Sequence, residues 1–529
     1  MEAPIKHRHL YFWLATVAVS SAIFLAGCGS GSGNSSVPRN VQVSAIYSYY
    51  GAQGKVNVPQ DLSGKDNQIA ALIPEADGSI TTIACNSLAA GTCMIPQVPA
   101  GYYWLQQTTP YVRYLFWTNS STFDLGQNLT GRPFDGKMVN TIFDVDLTGL
   151  YPVPNPTVVS PAPPVLANPN LLYSLFPLYT NFADATTVSG TVGGRVAPPD
   201  PSKGDTTYVY QMAPVTSIGL PSEWYYSWAL TTALALPNFT VNADGNTVVR
   251  GAMSRSNPAA LNFNIDGPSW GTAVGASENS LFSNLQFSAS VQPFLTKFDS
   301  GNGIDLIRLD VHSPWSEPVN IFQNISATID YDNPFPRSWP IVYEIWAYAP
   351  AGTGSFVHNS YRTTTLPSSF TPQMAPVQNP TINGASLQNP PAIANPDTPI
   401  TLSWLPPIGH APDTYSITIH IQGTSGNTTS DTILAQIVTP QTSVTIPAGL
   451  LGTGNNYYVT IGAFSATGFS ATSPYRQGFP SADASVISGT FAVGPAPAVA
   501  ASTGKVRMIP SGTNGKVHTI PLNMRARIP

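Results

Sequence analysis

The chain has 529 residues, of which 9 % are charged, with 22 Lys+Arg against 27 Asp+Glu and a formal net charge of −5. An ordinary soluble chain carries about 25 % charged residues. This balance offers no basic face for nucleic acid. Together with 51 Pro and 43 Gly it excludes a protein of long exposed helices, whose outer faces are filled with Lys, Glu and Arg. The 42 % hydrophobic and 10 % aromatic content is enough for several cores, and the length fits three or four domains of roughly 100–200 residues.

The N-terminus places Lys6 and Arg8 before a mostly apolar run over residues 10–25, which ends in Leu25-Ala26-Gly27-Cys28. A positive region, an apolar region and small residues in that order make a secretory signal. Its last four residues resemble the lipobox of bacterial lipoproteins. The resemblance implies cleavage before Cys28, removing residues 1–27, and lipidation of the Cys28 sulfur. It makes the membrane a partner through the lipid anchor and places the protein in the cell envelope. Gly29 stands where, in enteric bacteria, Asp would signal retention in the inner membrane, so the outer membrane is expected if the host has one. The competing reading is a plain transmembrane anchor, but the run lies at the short end of the roughly 17–25 residues that span a bilayer. Residues 28–40 read as a tether, because Gly29-Ser30-Gly31-Ser32-Gly33-Asn34-Ser35-Ser36 has no apolar side chain to bury.

Two further cysteines, Cys85 and Cys93, lie eight apart around a Gly-containing stretch. In an oxidising compartment they are expected to form a disulfide; a metal site would need more Cys or His nearby.

From residue 41 onward, short runs of Val, Ile, Thr, Tyr and Phe punctuated by Pro, Gly, Asn and Asp predict an all-β chain of tandem β-sandwich modules. In the first module, 41–133, Asp77-Gly78 between two apolar runs predicts a hairpin. Pro99, Gly101, Tyr103 and Leu105 resemble the signature strand of prealbumin-like, carboxypeptidase-regulatory-like domains, which implies a spacer without catalytic residues. A larger β-sandwich is expected over 136–372. It opens with a strand that puts Phe143, Val145 and Leu147 on one face. Its other candidate strands are 304–311, 325–329 and 341–348, and 222–236 is the one candidate helix, with Ser222 as its cap.

In the third module, 376–495, four alternating runs carry Trp404, Ile417, Val444 and Tyr457. Their order and spacing resemble strands B, C, E and F of a fibronectin type III domain. The resemblance implies a buried Trp404 and a Tyr457 hydroxyl that satisfies a backbone group at a strand corner. The G strand is poorly defined, since 469–475 alternates little. Residues 496–529 read as a flexible basic tail, with contact to acidic wall polymer or lipid head groups as the sharper alternative.

Chemistry is sparse. Seven histidines form no His-x-x-x-His or His-Glu-x-x-His, and no phosphate loop ends in Gly-Lys-Ser/Thr. Gly267-Pro268-Ser269-Trp270-Gly271 matches the spacing of a nucleophile elbow, but Pro268-Ser269 reads as an ordinary turn and the following residues are poor helix formers. Asp310 and His312 share a strand face that Ser313 does not. His420 is expected on a solvent face. The pairs Asp144/Asp146, Asp305/Asp310 and Asp330/Asp332 are common on wet strands, and 299–305 reads as a turn in preference to a calcium loop. Trp224, Tyr225, Tyr226 and Trp228 are the candidate ligand-binding aromatics, set against the commoner role of rings in filling a core.

The expected function is therefore a lipid-anchored extracytoplasmic protein with a binding, adhesion or envelope-structural role. Carbohydrate or another envelope protein is its candidate partner, without nucleic acid, cofactor or metal. The alternative is a glycosidase-like, polysaccharide-active enzyme with its site in the middle domain.

Overall fold

A computed structural model describes residues 37–494, apart from 63–66, 76–78, 134–136, 154–163, 169–170, 176–183, 215–217, 219, 222–223, 277–281, 295–302, 314–318, 352–354, 394, 396–398, 426–427 and 447–449. The leader, Cys28, the 29–36 stretch, the Asp77-Gly78 turn, Ser222 and the basic tail lie outside the described residues.

The described chain is nearly all strand, in several sheets, as the composition requires. Alternation gives strands with one buried face: in Val139–Thr148 the side chains of Phe143, Val145 and Leu147 are buried and their neighbours face outward. In the first module, Gln68–Pro74 and Ile80–Ala84 pair antiparallel. Cys85 and Cys93 are joined by a disulfide, with their Cα atoms 5.7 Å apart.

The last module has the topology of a fibronectin type III-like sandwich. One sheet pairs Gln378–Ile382 with Ile400–Leu405 and the latter with Ser443–Ile446. The other pairs Thr428–Thr439, Thr414–Ser425, Asn455–Thr467 and Gly478–Ile487 in that order. Trp404 is buried between them and meets Tyr415 edge-on at 5.3 Å. The Tyr457 hydroxyl donates to Gly452 O at 3.0 Å and accepts from Gly452 N at 2.9 Å, closing the strand corner. The final strand was indistinct in sequence because it lies beyond 469–475, at Gly478–Ile487, with Phe491–Val493 continuing on the same neighbour.

The modules follow one another in sequence, but main-chain hydrogen bonds join them in space. Gly478–Ile487 of the last module pairs antiparallel with Phe356–Thr363 of the middle region. At the other side Thr428–Thr439 pairs parallel with Arg113–Thr118 of the first module. One sheet thus runs from the middle region through the last module into the first. Each seam turns two strand edges, otherwise open to aggregation, into interior pairs.

Two expectations are corrected. The helix expected over 222–236 is replaced, in its described part, by a strand: Tyr225–Leu236 lies between Thr207–Pro214 and Ile304–His312. It is buried on both faces over Ala229–Ala233, so its two-residue alternation is lost while aromatic and Thr content still favours strand. Conversely, Gly267–Ala273 is a short helix, not a plain turn. Asp266 caps it by accepting from Ser269 N at 3.2 Å, which offsets the weak propensity of Gly and Thr.

Candidate functional site

The continuous sheet has two unlike faces. One carries Leu309, Phe287, Ile345, Ala484 and Ile461, all buried in the main core. The other carries polar and aromatic side chains, because alternation on each strand places them opposite the core residues.

Register aligns that second face into three cross-strand rows. The first runs Tyr226, Asp310, Gln286, Trp346, Ser360, Asp483. The second runs Trp228, Arg308, Ser288, Glu344, Arg362, Ser481. The third begins at His312, passes Asn284, Tyr348 and His358, and crosses the seam to Ser485, Gly462 and Ser416. Six strands at about 4.8 Å each make the first two rows about 24 Å long.

The rings interlock along the rows. Tyr226 stacks on His312 at 4.7 Å and meets Trp228 at 5.6 Å. Trp346 stacks on Tyr348 at 5.7 Å and lies 6.2 Å from His358. All four tyrosine and tryptophan rings are half-buried. Charges on the face are paired within it: Arg308 Nε with Asp310 Oδ2 at 2.9 Å, Arg362 Nε with Glu344 Oε1 at 3.6 Å, and His358 Nδ1 with Asp483 Oδ2 at 3.4 Å. Ser360 Oγ also donates to Asp483. Burial pushes the Asp310 carboxyl above its usual range against the pull of Arg308. Burial likewise holds the His312 imidazole below its ordinary value, with Asp310 opposing.

Of the four predicted aromatics, Tyr226 and Trp228 stand on this face. Tyr225 is opposite Val311 on the core-facing register, and Trp224 precedes the strand. Trp346 and Tyr348 stand two apart on Ile341–Pro350, the strand expected over 341–348. The sequence gives no sign of His358 or Asp483, which meet only because Phe356–Thr363 and Gly478–Ile487 pair.

The catalytic candidates are separated or already engaged. Ser269 Oγ donates to its capping Asp266 at 2.6 Å, while His312 is stacked on Tyr226. The glycines around Ser269 have a packing role: a Cβ at Gly267 would lie 2.0 Å from Gln323 O, and one at Gly271 would lie 2.9 Å from Phe322 Cβ. Asp144 and Asp146 both face Arg250 at the surface. Asp332 accepts from Ser256 N and Asn257 N and serves as a loop brace. Asp305 and Asp310 do share the polar face, through a bulge, but their partners Ser290 and Gln286 are four residues apart. That puts the two positions about 14 Å apart along the backbone, and Asp310 is already held by Arg308 Nε at 2.9 Å. Residues 299–302 lie outside the described part. Among the described residues no group of three His, Cys, Asp or Glu is placed to hold a metal ion.

His420 departs from expectation. It is buried, stacks on Tyr458 at 4.3 Å and pairs with Asp431 at 3.2 Å. Its strand face is covered by the neighbouring strand's ring, which alternation within one strand does not reveal.

No protein-family model matches the chain, and no curated protein matches it. Among solved structures, the chicken CNTN1 FN1–FN3 domains are similar at 8 % identity over 86 % of this chain and 96 % of theirs. The TM-score is 0.13, too low to support a conclusion about fold or function.

Proposed function

We propose that the protein is a lipid-anchored, extracytoplasmic envelope protein that acts in binding, adhesion or envelope architecture through its β-sandwich modules. Cys28 is its attachment point, the 29–36 stretch its tether, and the outer membrane its place in a host that has one. The prealbumin-like first module serves as a spacer joined to the rest by the parallel seam. The observation that carries the binding reading is the polar–aromatic face, which gathers half-buried rings and internally paired charges on a sheet shared by two modules. Fractionation of cells expressing the wild type and Cys28→Ala tests the anchor. The wild type is expected with membranes and the variant in the soluble export fraction or as uncleaved precursor. Identical membrane distribution of the two would contradict lipidation.

A further inference from the structure

Granted the anchoring reading above, the end of the molecule where the chain enters its first strand is the end held near the bilayer. Val37 is exposed there, and Arg39 Nη2 donates to Gly101 O at 3.2 Å, beside Tyr102. Val37 stands nine positions after Cys28, a length of chain that spans at most about 30 Å. Register brings three more loops to the same end. Tyr103 is opposite Thr118, and Phe116 lies beside Val438 on the parallel strand, so Tyr102, residues 119–121 and residues 440–442 share a level. Trp404 N donates to Thr442 O at 2.9 Å, and Tyr415 is opposite Thr439, so Leu405 and residues 406–413 lie there as well.

These loops hold apolar side chains out to solvent. Leu405 is 56 % exposed and Ile408 74 %. Exposed Tyr102 stacks on the half-buried Trp117 at 5.7 Å. Gly409 turns the chain after Ile408 with a positive φ, and a Cβ built there would meet nothing within 4 Å, so the tip stands clear of the body. Charge is almost absent. Across 99–102, 119–121, 406–413 and 440–442 there is one carboxylate, Asp413, one histidine, His410, and no Lys or Arg. Asp413 Oδ2 already accepts from Ser465 Oγ at 2.8 Å and from Ala466 N at 2.9 Å. Seating these tips against lipid therefore strips no unpaired carboxylate of its water. Amphipathic rings beside protruding aliphatic side chains are the composition of a membrane interface contact.

We infer that this end of the first and last modules docks on the phospholipid surface that carries the anchor, with Leu405 and Ile408 in the head-group region and Tyr102 and Trp117 at its level. The opposite end, where Tyr111 is exposed between Tyr103–Thr108 and Arg113–Thr118, points away from the membrane. The tether makes the contact effectively intramolecular, so shallow insertion of a few side chains is enough to hold it.

The test uses the full mature chain from Cys28, coupled through that thiol to a maleimide lipid in vesicles of phosphatidylethanolamine and phosphatidylglycerol. Coupling reproduces the tether whether or not cells lipidate the cysteine, and Cys85 and Cys93 are bonded to each other and do not compete. Ile408→Trp and Tyr111→Trp report position through the tryptophan fluorescence each adds to the wild type, with acyl chains brominated near the head group as the quencher. The signal at 408 is expected to be quenched several-fold more strongly than the signal at 111. Adding Leu405→Asp to the Ile408→Trp chain should lower the docked-to-undocked ratio by about tenfold or more. Adding Tyr111→Asp should leave that ratio unchanged. Equal quenching at 408 and 111, or no effect of Leu405→Asp, overturns the inference. A Cys28→Ala chain that sediments as a dimer and becomes monomeric on Ile408→Asp would assign these side chains to a second copy and overturn it as well. The fractionation experiment decides the anchor separately, so failure of docking and failure of lipidation are told apart.

Discussion

Arg476→Ala is expected to loosen the first module from the last. The guanidinium donates from Nε to Asp124 Oδ2 at 2.6 Å, from Nη1 to Asn128 Oδ1 at 3.1 Å and from Nη2 to Ile46 O at 2.8 Å. Three hydrogen bonds from one cation thus hold residues 352, 348 and 430 positions away. Hydrogen bonds to charged groups contribute about 1.5–3 kcal/mol each. Arg476 and Asp124 are about a quarter exposed, at 24 % and 29 %, so water replaces part of what is lost. A net cost of about 3 kcal/mol follows. For a cooperative unit of 150–250 residues that is a fall of about 6–12 °C in the melting midpoint. Scanning calorimetry reads it, and limited proteolysis should show earlier cleavage between the first and middle modules. Gly126→Ala should act in the same direction, since its Cβ would lie 2.2 Å from Arg476 Nη2 and 2.5 Å from Ile46 O. Arg195→Ala, at an exposed arginine, is the control. An Arg476→Ala midpoint within a degree of the wild type would show that the reasoning about this joint is wrong.

Three further outcomes are expected. Tyr457→Phe removes both bonds to Gly452 and should destabilise the last module by about 1–2 kcal/mol in urea unfolding; a change below the error of the midpoint would remove the corner's role. Reduction, or the double change Cys85→Ser with Cys93→Ser, releases a short loop and should cost roughly 2–3 kcal/mol. An unreduced peptide map showing a free thiol at either position would reject the bridge itself. For His312, the folded state resists protonation, so the unfolded chain binds more protons as pH falls below its ordinary value near 6.5. The wild type should therefore lose stability from pH 7.5 to 5.5 more steeply than His312→Gln. Parallel slopes would deny the burial effect.

The strands with one wet face were readable because alternation is local: Phe143, Val145 and Leu147 declare their sheet face without reference to any partner. Trp404 and Tyr457 were readable for a related reason, since a large ring at a fixed place in an alternating run has few alternatives to the core. Tyr225–Leu236 shows no two-residue period because it is buried on both sides over Ala229–Ala233, which leaves Ser222 as the strongest local signal. The helix at Gly267 has little signal within its own motif because its cap, Asp266, lies one residue outside it. The candidate site was half visible. Tyr226 and Trp228 stand two apart on one strand, but Asp310 with Gln286 and Ser360 with Asp483 are neighbours only through sheet order. That order depends on which strand edges meet, and it leaves no local trace in the sequence.

Hydrogen exchange at the two seams tests most directly whether one sheet unites the modules, and the rows of the polar–aromatic face cross the first of these seams. Amides of Phe356–Thr363 and Gly478–Ile487, and of Arg113–Thr118 and Thr428–Thr439, should be protected to the level of central strands such as Asn284–Val291. Exchange at these four strands at the rate of exposed edges, with the module interiors still protected, would contradict the account.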